Sequence, residues 1–222
     1  MFVLFLSLLL SSTVEGAPAG LHSENIFGAP LAKCDRAAHF IAHPEQKDVK
    51  YPTTGYYRND ECTASAADAG AHFVCVKMPS ATTSAGDSFS TFWTETGQAQ
   101  SPEMAVGWPK PGPWCICMWA FARMFASHPS FIDMLTCDAT NQWVITNYDL
   151  GNPAQASALH AVCGKCGVAA DEGAAQALRD KCHAAHAQFG TTPTARRALG
   201  TAGAGAEAEV EKEAVAAAHQ EL

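Results

Sequence analysis

The residues with the most chemical potential in this chain are its nine cysteines and nine histidines. Cys34, Cys62, Cys75, Cys115 and Cys117, with His72, form a first group. Cys115 and Cys117 stand two apart in a segment that reads as a strand, so both point to one face while Trp114, Ile116 and Met118 take the other. Two thiols at i and i+2 of an extended strand lie too far apart to bond comfortably to each other, so each needs another partner. Three readings fit. The first is a pair of disulfides from Cys115 and Cys117 to Cys34, Cys62 or Cys75. The second is a thiolate cluster for zinc or copper, with His72 as a further ligand. The third is a catalytic thiol. Disulfides are the leading reading.

A second group is Cys163-Gly164-Lys165-Cys166, followed by Cys182 and His186. Cys-x-x-Cys followed by Cys-x-x-x-His is a spacing that zinc uses, with Cys182 and His186 on one face of a helix. The metal expectation is therefore Cys163, Cys166, Cys182 and His186. The competing reading is a disulfide from Cys182 to Cys163 or Cys166, and a redox pair is a third. A last group is polar and aromatic: Tyr56, Tyr57, Arg58, Asp60, Asp68 and His72. If the chain is an enzyme, Arg58, Asp68 and His72 are its expected catalytic residues. The plainer reading of that group is an ion pair and turn-forming residues.

Compartment decides between these chemistries. Residues Phe2–Leu10 are an apolar run broken only by Ser7, and Val14-Glu15-Gly16 offers small residues at −3 and −1 of a cleavage site. This is the layout of a secretory signal peptide, with Ala17 as the first mature residue. Export to the secretory lumen or beyond favours disulfides, and Cys137 is a further candidate alongside the first group. Nine is odd, so at least one thiol is left over.

The chain has 222 residues and net charge −8, with 48% hydrophobic residues, enough for a globular core. Much of the acidity lies in the last 22 residues, with five Glu against one Lys. Basic residues are scattered, which argues against a nucleic-acid partner. No other segment is long and apolar enough for a membrane span, so no integral segment is expected after signal removal. The partner is left unnamed. P-loop, dinucleotide, Gly-x-Ser-x-Gly and His-Glu-x-x-His motifs are absent.

The expected organisation is a signal peptide over 1–16, an α+β domain over 17–155, a Cys/His-containing helical extension over 156–199 and an Ala/Glu-rich mobile tail over 200–222. All five Trp and all four Tyr fall before residue 153. Within the domain, 72–78 reads as a strand, followed by a loop over 79–86. Asp87 or Ser88 caps a short helix with Phe89, Phe92 and Trp93 on its apolar face. Residues 101–113 read as irregular, 114–118 as a strand, and 119–126 as a helix stopped at His128-Pro129. Segments 131–136 and 143–146 read as strands joined by a turn through 138–141. A helix runs over 169–189, with Gly190 past its end. The fold class is α+β: a small mixed or antiparallel sheet with short helices packed on it and a C-terminal helix.

Four blocks, in order, resemble a known family. They are Asn25-Ile26-Phe27-Gly28 with Cys34, Thr54-Gly55-Tyr56-Tyr57-Arg58-Asn59-Asp60-Glu61-Cys62, the Asp68, Gly70, His72, Val74, Cys75 series, and Lys110-Pro111-Gly112-Pro113-Trp114-Cys115-Ile116-Cys117. Together they resemble the small bacterial family called domain of unknown function 2237 over about residues 25–150. There are departures. Glu61 stands where the family has the first of two cysteines. Gly97-Gln98-Ala99-Gln100-Ser101-Pro102 lacks the family's acidic residue, and Leu135-Thr136-Cys137 replaces an Ala-Thr-His. The resemblance implies a fold and a set of special positions, and no activity. On the residues alone the leading expectation is a non-enzymatic, disulfide-stapled binding or structural module. The alternatives are a thiolate metal protein and a small enzyme using His72, Asp68 and Arg58.

The export reading predicts that secreted material begins at Ala17 and carries disulfides. Mass spectrometry without reduction checks this; an intact Met1 with nine free thiols would refute it.

Overall fold

The computed structural model describes residues 22–78, 92–98 and 111–189. The leader, the 79–86 loop, Asp87, Ser88, Phe89, Gly190 and the tail lie outside the described residues. Within them, the chain forms a two-stranded antiparallel sheet wrapped by short helices and closed by two longer C-terminal ones, an α+β arrangement.

The sheet joins β1 (Val74–Met78) to β2 (Gly112–Ile116). Its register places Val74 opposite Ile116 and Cys75 opposite Cys115. Alternation sorts the two faces. Val74, Val76, Met78 and Ile116 join the main apolar core. Cys75 and Cys115 face a separate small cluster with Cys34, Cys62 and Ala139. The ladder ends where Ile116 gives way to Cys117, the N-cap of a helix over Met118–Ser127.

Six α-helices are described: α1 (Arg36–Ala42), α2 (Phe92–Thr96), α3 (Met118–Ser127), α4 (Trp143–Asn147), α5 (Pro153–Cys166) and α6 (Gln176–Phe189). Their starts follow local chemistry. The Asp35 carboxylate accepts the Ala38 N–H at 2.8 Å to cap α1. Asn152 accepts from the amides of Ala154 and Gln155, with Pro153 at the first position of α5. Gly167, at φ +68°, ends α5 in the left-handed conformation that glycine enters freely.

Three sequence expectations are corrected. Residues Pro129–Met134 form a 3-10 helix, not a strand. Pro129 presets its first turn, and Phe131 packs against Phe121 with ring centroids 5.6 Å apart. The segment meets the sheet only at its end, through a bridge from Leu135 to Val76 and the Thr136 amide donating to the Cys75 carbonyl at 2.9 Å. Trp143–Asn147 is helical despite its β-branched residues, because the Asn141 side chain accepts the Trp143 N–H and Val144 and Ile145 are buried. The expected helix over 169–189 is broken. A 3-10 turn covers Val168–Ala170, Asp171 accepts the Gly173 N–H, and the helix begins at Gln176. Helices α1 and α5 have no counterpart in the sequence expectation.

The C-terminal extension shares the main core. Leu159, Val162, Leu178 and Ala185 lie in one buried cluster with Ile26, Phe121, Phe131 and Ile145. Two disulfides tie it down, Cys137–Cys166 and Cys163–Cys182, with Cα separations of 5.8 and 5.5 Å.

At the other end of the molecule a fully buried arginine organises the loops. Arg36 donates from Nε to the Tyr51 carbonyl at 3.0 Å and from Nη1 to the Pro111 and Pro113 carbonyls at 3.1 and 3.2 Å. Its remaining arm meets Asp48 at 3.4 Å. The guanidinium lies 4.5 Å from the centroids of Phe40 and Trp114. Burial lowers its pKa to about 10, against the raising effect of Asp48. Removing one member of a buried pair strands the other, at about 3–5 kcal/mol. Arg36→Ala is therefore expected to lose about that much unfolding free energy in urea. A loss under about 1 kcal/mol would show the pair to be inessential.

Candidate functional site: a thiol, an imidazole and a carboxylate

The site grows from a tight turn before β1. The amide of Asp68 donates to the Ser65 carbonyl and that of Ala71 to the Asp68 carbonyl, with Ala71 at φ +50°. The Asp68 carboxylate is buried and accepts three donors. These are the Gly70 amide at 3.1 Å, the His72 amide at 2.8 Å and, at 2.8 Å, His72 Nδ1. The last bond fixes the ring and assigns Nδ1 as the protonated nitrogen. The imidazole lies over Gly70, where an added β-carbon would overlap it, with ring nitrogens only 2.8 and 3.0 Å away. Glycine is needed there for space.

The second half comes from the end of β2. The Met118 amide donates to the Ala71 carbonyl at 2.9 Å, which holds the 117–118 junction against the 71–72 junction. Cys117 is free and half-buried. His72 has its pKa raised to about 9, chiefly by hydrogen bonding with the Cys117 side chain, against the lowering effect of burial, with Asp68 adding to the rise. Cys117 also stands at the positive end of a ten-residue helix. A sulfur beside an imidazolium at a helix N-terminus is the setting in which cysteine acts as a nucleophile.

The other expected residues are distributed differently. Arg58 does not join Asp68 and His72. Held at φ +58°, it lies 5.3 and 5.8 Å over the rings of Tyr51 and Trp114. Asp60 accepts the Thr54 amide at 2.8 Å, and Tyr56 and Tyr57 are exposed. A cavity of about 190 Å³ lies elsewhere, lined by Trp119, Ala122, Arg123, Asn152, Ala154 and Gln155.

Of the first cysteine group, Cys34 bonds Cys75 and Cys62 bonds Cys115, while Cys117 takes no disulfide partner. The expected bridge from Cys117 is thus corrected. In the second group Cys163 is bonded to Cys182 and Cys166 to Cys137, so the zinc-type set with His186 does not form. A bridged sulfur is not a thiolate ligand. His186 instead meets His160, Nδ1 to Nδ1, at 3.0 Å. Burial is the main cause lowering both pKa values; the His160–His186 contact adds for His160, and His183 for His186.

Sequence reasoning counted the odd cysteine but not which one it was. The available signal was position: Cys117 sits where a strand passes directly into a helix.

Fold and site together define a small, disulfide-stapled α+β protein carrying a cysteine–histidine–aspartate line. The family described as "Uncharacterized protein conserved in bacteria (DUF2237)" matches residues 24–152, and the chain belongs to it. The match contains Asp68, Gly70, His72 and Cys117 and ends before α5. Comparison with curated proteins returned no match.

Because His72 is raised above its usual 6.5, its contribution to stability is full below pH 6.5 and is lost as pH rises through about 9. Histidine-ring NMR is expected to show His72 titrating near 9, falling toward 6.5 in Cys117→Ser. An unchanged midpoint in that variant would separate the ring from the sulfur.

Proposed function

We propose that this chain is an exported, disulfide-stapled enzyme that uses Cys117 as a nucleophile in acyl transfer or hydrolysis. The observation that carries the reading is the 2.8 Å hydrogen bond between His72 Nδ1 and Asp68, on a ring whose proton affinity is raised chiefly by the one free thiol, Cys117. Eight of the nine cysteines are bridged, so no second thiol stands ready to resolve a mixed disulfide. A lone thiol with an oriented imidazole suits attack on a carbonyl better than disulfide exchange. The leader and the staples support export.

The steps follow from the charges. Cys117 sulfur gives its proton to His72 and attacks the carbonyl carbon of an ester, thioester or activated amide. The tetrahedral intermediate collapses as His72 returns that proton to the leaving group, which leaves a thioester on Cys117. Acylation removes the side-chain hydrogen bonding with Cys117, the first cause of the raised His72 pKa. The ring then drops toward its ordinary range and can take a proton from water, which releases the acid and frees the thiol. Asp68 holds Nδ1 throughout.

Incubation with a nitrophenyl ester is expected to acylate Cys117, read as a mass shift on its peptide. His72→Ala is expected to slow that acylation by about 100-fold or more. Equal rates in wild type and His72→Ala would overturn the enzyme reading. It would leave the alternative of a binding module whose free thiol is incidental.

A further inference from the structure

The sulfurs of Cys34, Cys62 and Cys75 all lie within 4.8 Å of one another, although they belong to two different disulfides. The fourth, Cys115, is bonded to Cys62 and stands directly opposite Cys75 across the ladder. All four residues are at most 2% exposed, in a pocket completed by Ala139 and the half-buried Ala32. The two other bridges, Cys137–Cys166 and Cys163–Cys182, form no such group among the described residues.

We propose that this four-sulfur locus is a redox-gated zinc site: when the Cys34–Cys75 and Cys62–Cys115 bridges are reduced, the four thiolates bind one zinc ion. Tetrahedral zinc with sulfur at about 2.3 Å needs sulfurs about 3.8 Å apart. The Cys62 sulfur lies within 4.8 Å of both sulfurs of the Cys34–Cys75 bridge, about an ångström from that spacing, and the Cys115 sulfur, which is not within 4.8 Å of all three, must move in from its facing position on β2. Breaking each bond lets the paired sulfurs separate by side-chain rotation while the strands stay in register. The main-chain supports do not involve sulfur. The Cys75 amide donates to the Thr140 hydroxyl at 3.1 Å and the Cys115 amide to the Thr54 hydroxyl at 2.8 Å. Those bonds remain available to the ladder when the bridges are reduced, and zinc would replace the covalent clamp. A tetrahedral all-sulfur site favours zinc over the harder divalent ions.

The balance is simple. Each bridge takes two electrons from an external reductant, a dithiol in a cell or a phosphine in the test, and two protons, supplied by the dithiol itself or by water. The dithiol is oxidised to its disulfide; the phosphine takes the oxygen atom of a water molecule whose two protons go to the thiols. Zinc then displaces the four thiol protons. A small-molecule disulfide reoxidises the site: each bridge reforms as that disulfide is reduced to two thiols, and the ion is released. The same residues thus lock the fold covalently in oxidising surroundings and by metal coordination in reducing ones. Cys117 is outside the set, so this inference does not depend on the acyl-transfer reading.

The test reduces the full chain with a water-soluble phosphine in the presence of zinc chloride, followed by desalting, elemental analysis and alkylation mapping. About one zinc per chain is expected, with Cys34, Cys62, Cys75 and Cys115 protected and Cys137, Cys163, Cys166 and Cys182 alkylated. Cobalt in place of zinc should give thiolate-to-metal absorption. Paired variants guard against zinc held loosely by an unfolded chain. Cys75→Ser is expected to abolish binding, whereas Cys163→Ser with Cys182→Ser, and Cys117→Ser, retain it. A metal-free reduced chain, equal alkylation of all eight cysteines, or zinc surviving Cys75→Ser would each overturn the proposal.

Discussion

The placement of Cys75 opposite Cys115 is the constraint on which the rest of this structure depends. Two five-residue strands are too few to hold together alone in water. Here the pair is clamped on one face by two disulfides and pressed on the other into the apolar core. The bridges tie the ladder to segments 41 and 53 residues away in the chain, Cys34 and Cys62. In the chain-entropy account, closing loops of that length contributes several kcal/mol by restricting the unfolded chain. With the ladder fixed, its end is fixed too. The turn that enters β1 carries Asp68, Gly70 and His72, and the step that leaves β2 delivers Cys117. The site lies where these two junctions meet, and the Met118-to-Ala71 hydrogen bond stitches them together.

The departures from the family pattern follow the same logic. Cys137 stands where the resemblance places a histidine, and it is bonded to Cys166, beyond the matched region. The substitution thus joins the family-like part to α5. Cys163 continues the chain of staples to Cys182 on α6. Glu61 stands where the family has a cysteine. Its carboxylate receives the Asn59 side-chain amide at 3.0 Å, a surface contact rather than a bridge. With that position lost and Cys137 gained, an odd count remains, and the unpaired sulfur is the one beside His72.

Much of this fold was legible in the sequence, for identifiable reasons. β1, β2 and α3 were visible because their periodicity and their proline and glycine boundaries agree with their burial. Helix α5 was missed because Ala156, Ala158, Leu159, Ala161, Val162 and Cys163 are buried with little regard to face, which erases the amphipathic signal. Phe131 and the Trp143–Thr146 run were read as strands from residue type, and packing overrode type in both places. His72 and Asp68 were legible as members of one polar group, together with Arg58, and their direct hydrogen bond came from the fold. Arg58 was grouped with them only by neighbourhood in the chain, and its left-handed backbone conformation sends it to the rings of Tyr51 and Trp114 instead. Disulfide partners cannot be read from spacing, so the identity of the free thiol had to come from the fold.

Among the described residues three histidines have shifted proton affinity, and the causes differ. His160 and His186 are both lowered, principally by burial, and their contact at 3.0 Å is one that two neutral rings tolerate and two charged rings would not. Their environment selects the neutral form, as expected of rings used for packing between α5 and α6. His72 is raised although burial opposes it, because a sulfur and a carboxylate face its two sides. An imidazole held charged by partners, one of which is itself able to gain or lose charge, has a proton affinity that changes with the state of that partner. For His160 and His186 burial is the larger cause and the titratable neighbour the smaller. The dependence at His72 is what a proton carrier needs, and it is the reason the proposed chemistry is assigned to the junction of β2 with α3 rather than to the histidine-rich C-terminal helices that the sequence makes conspicuous.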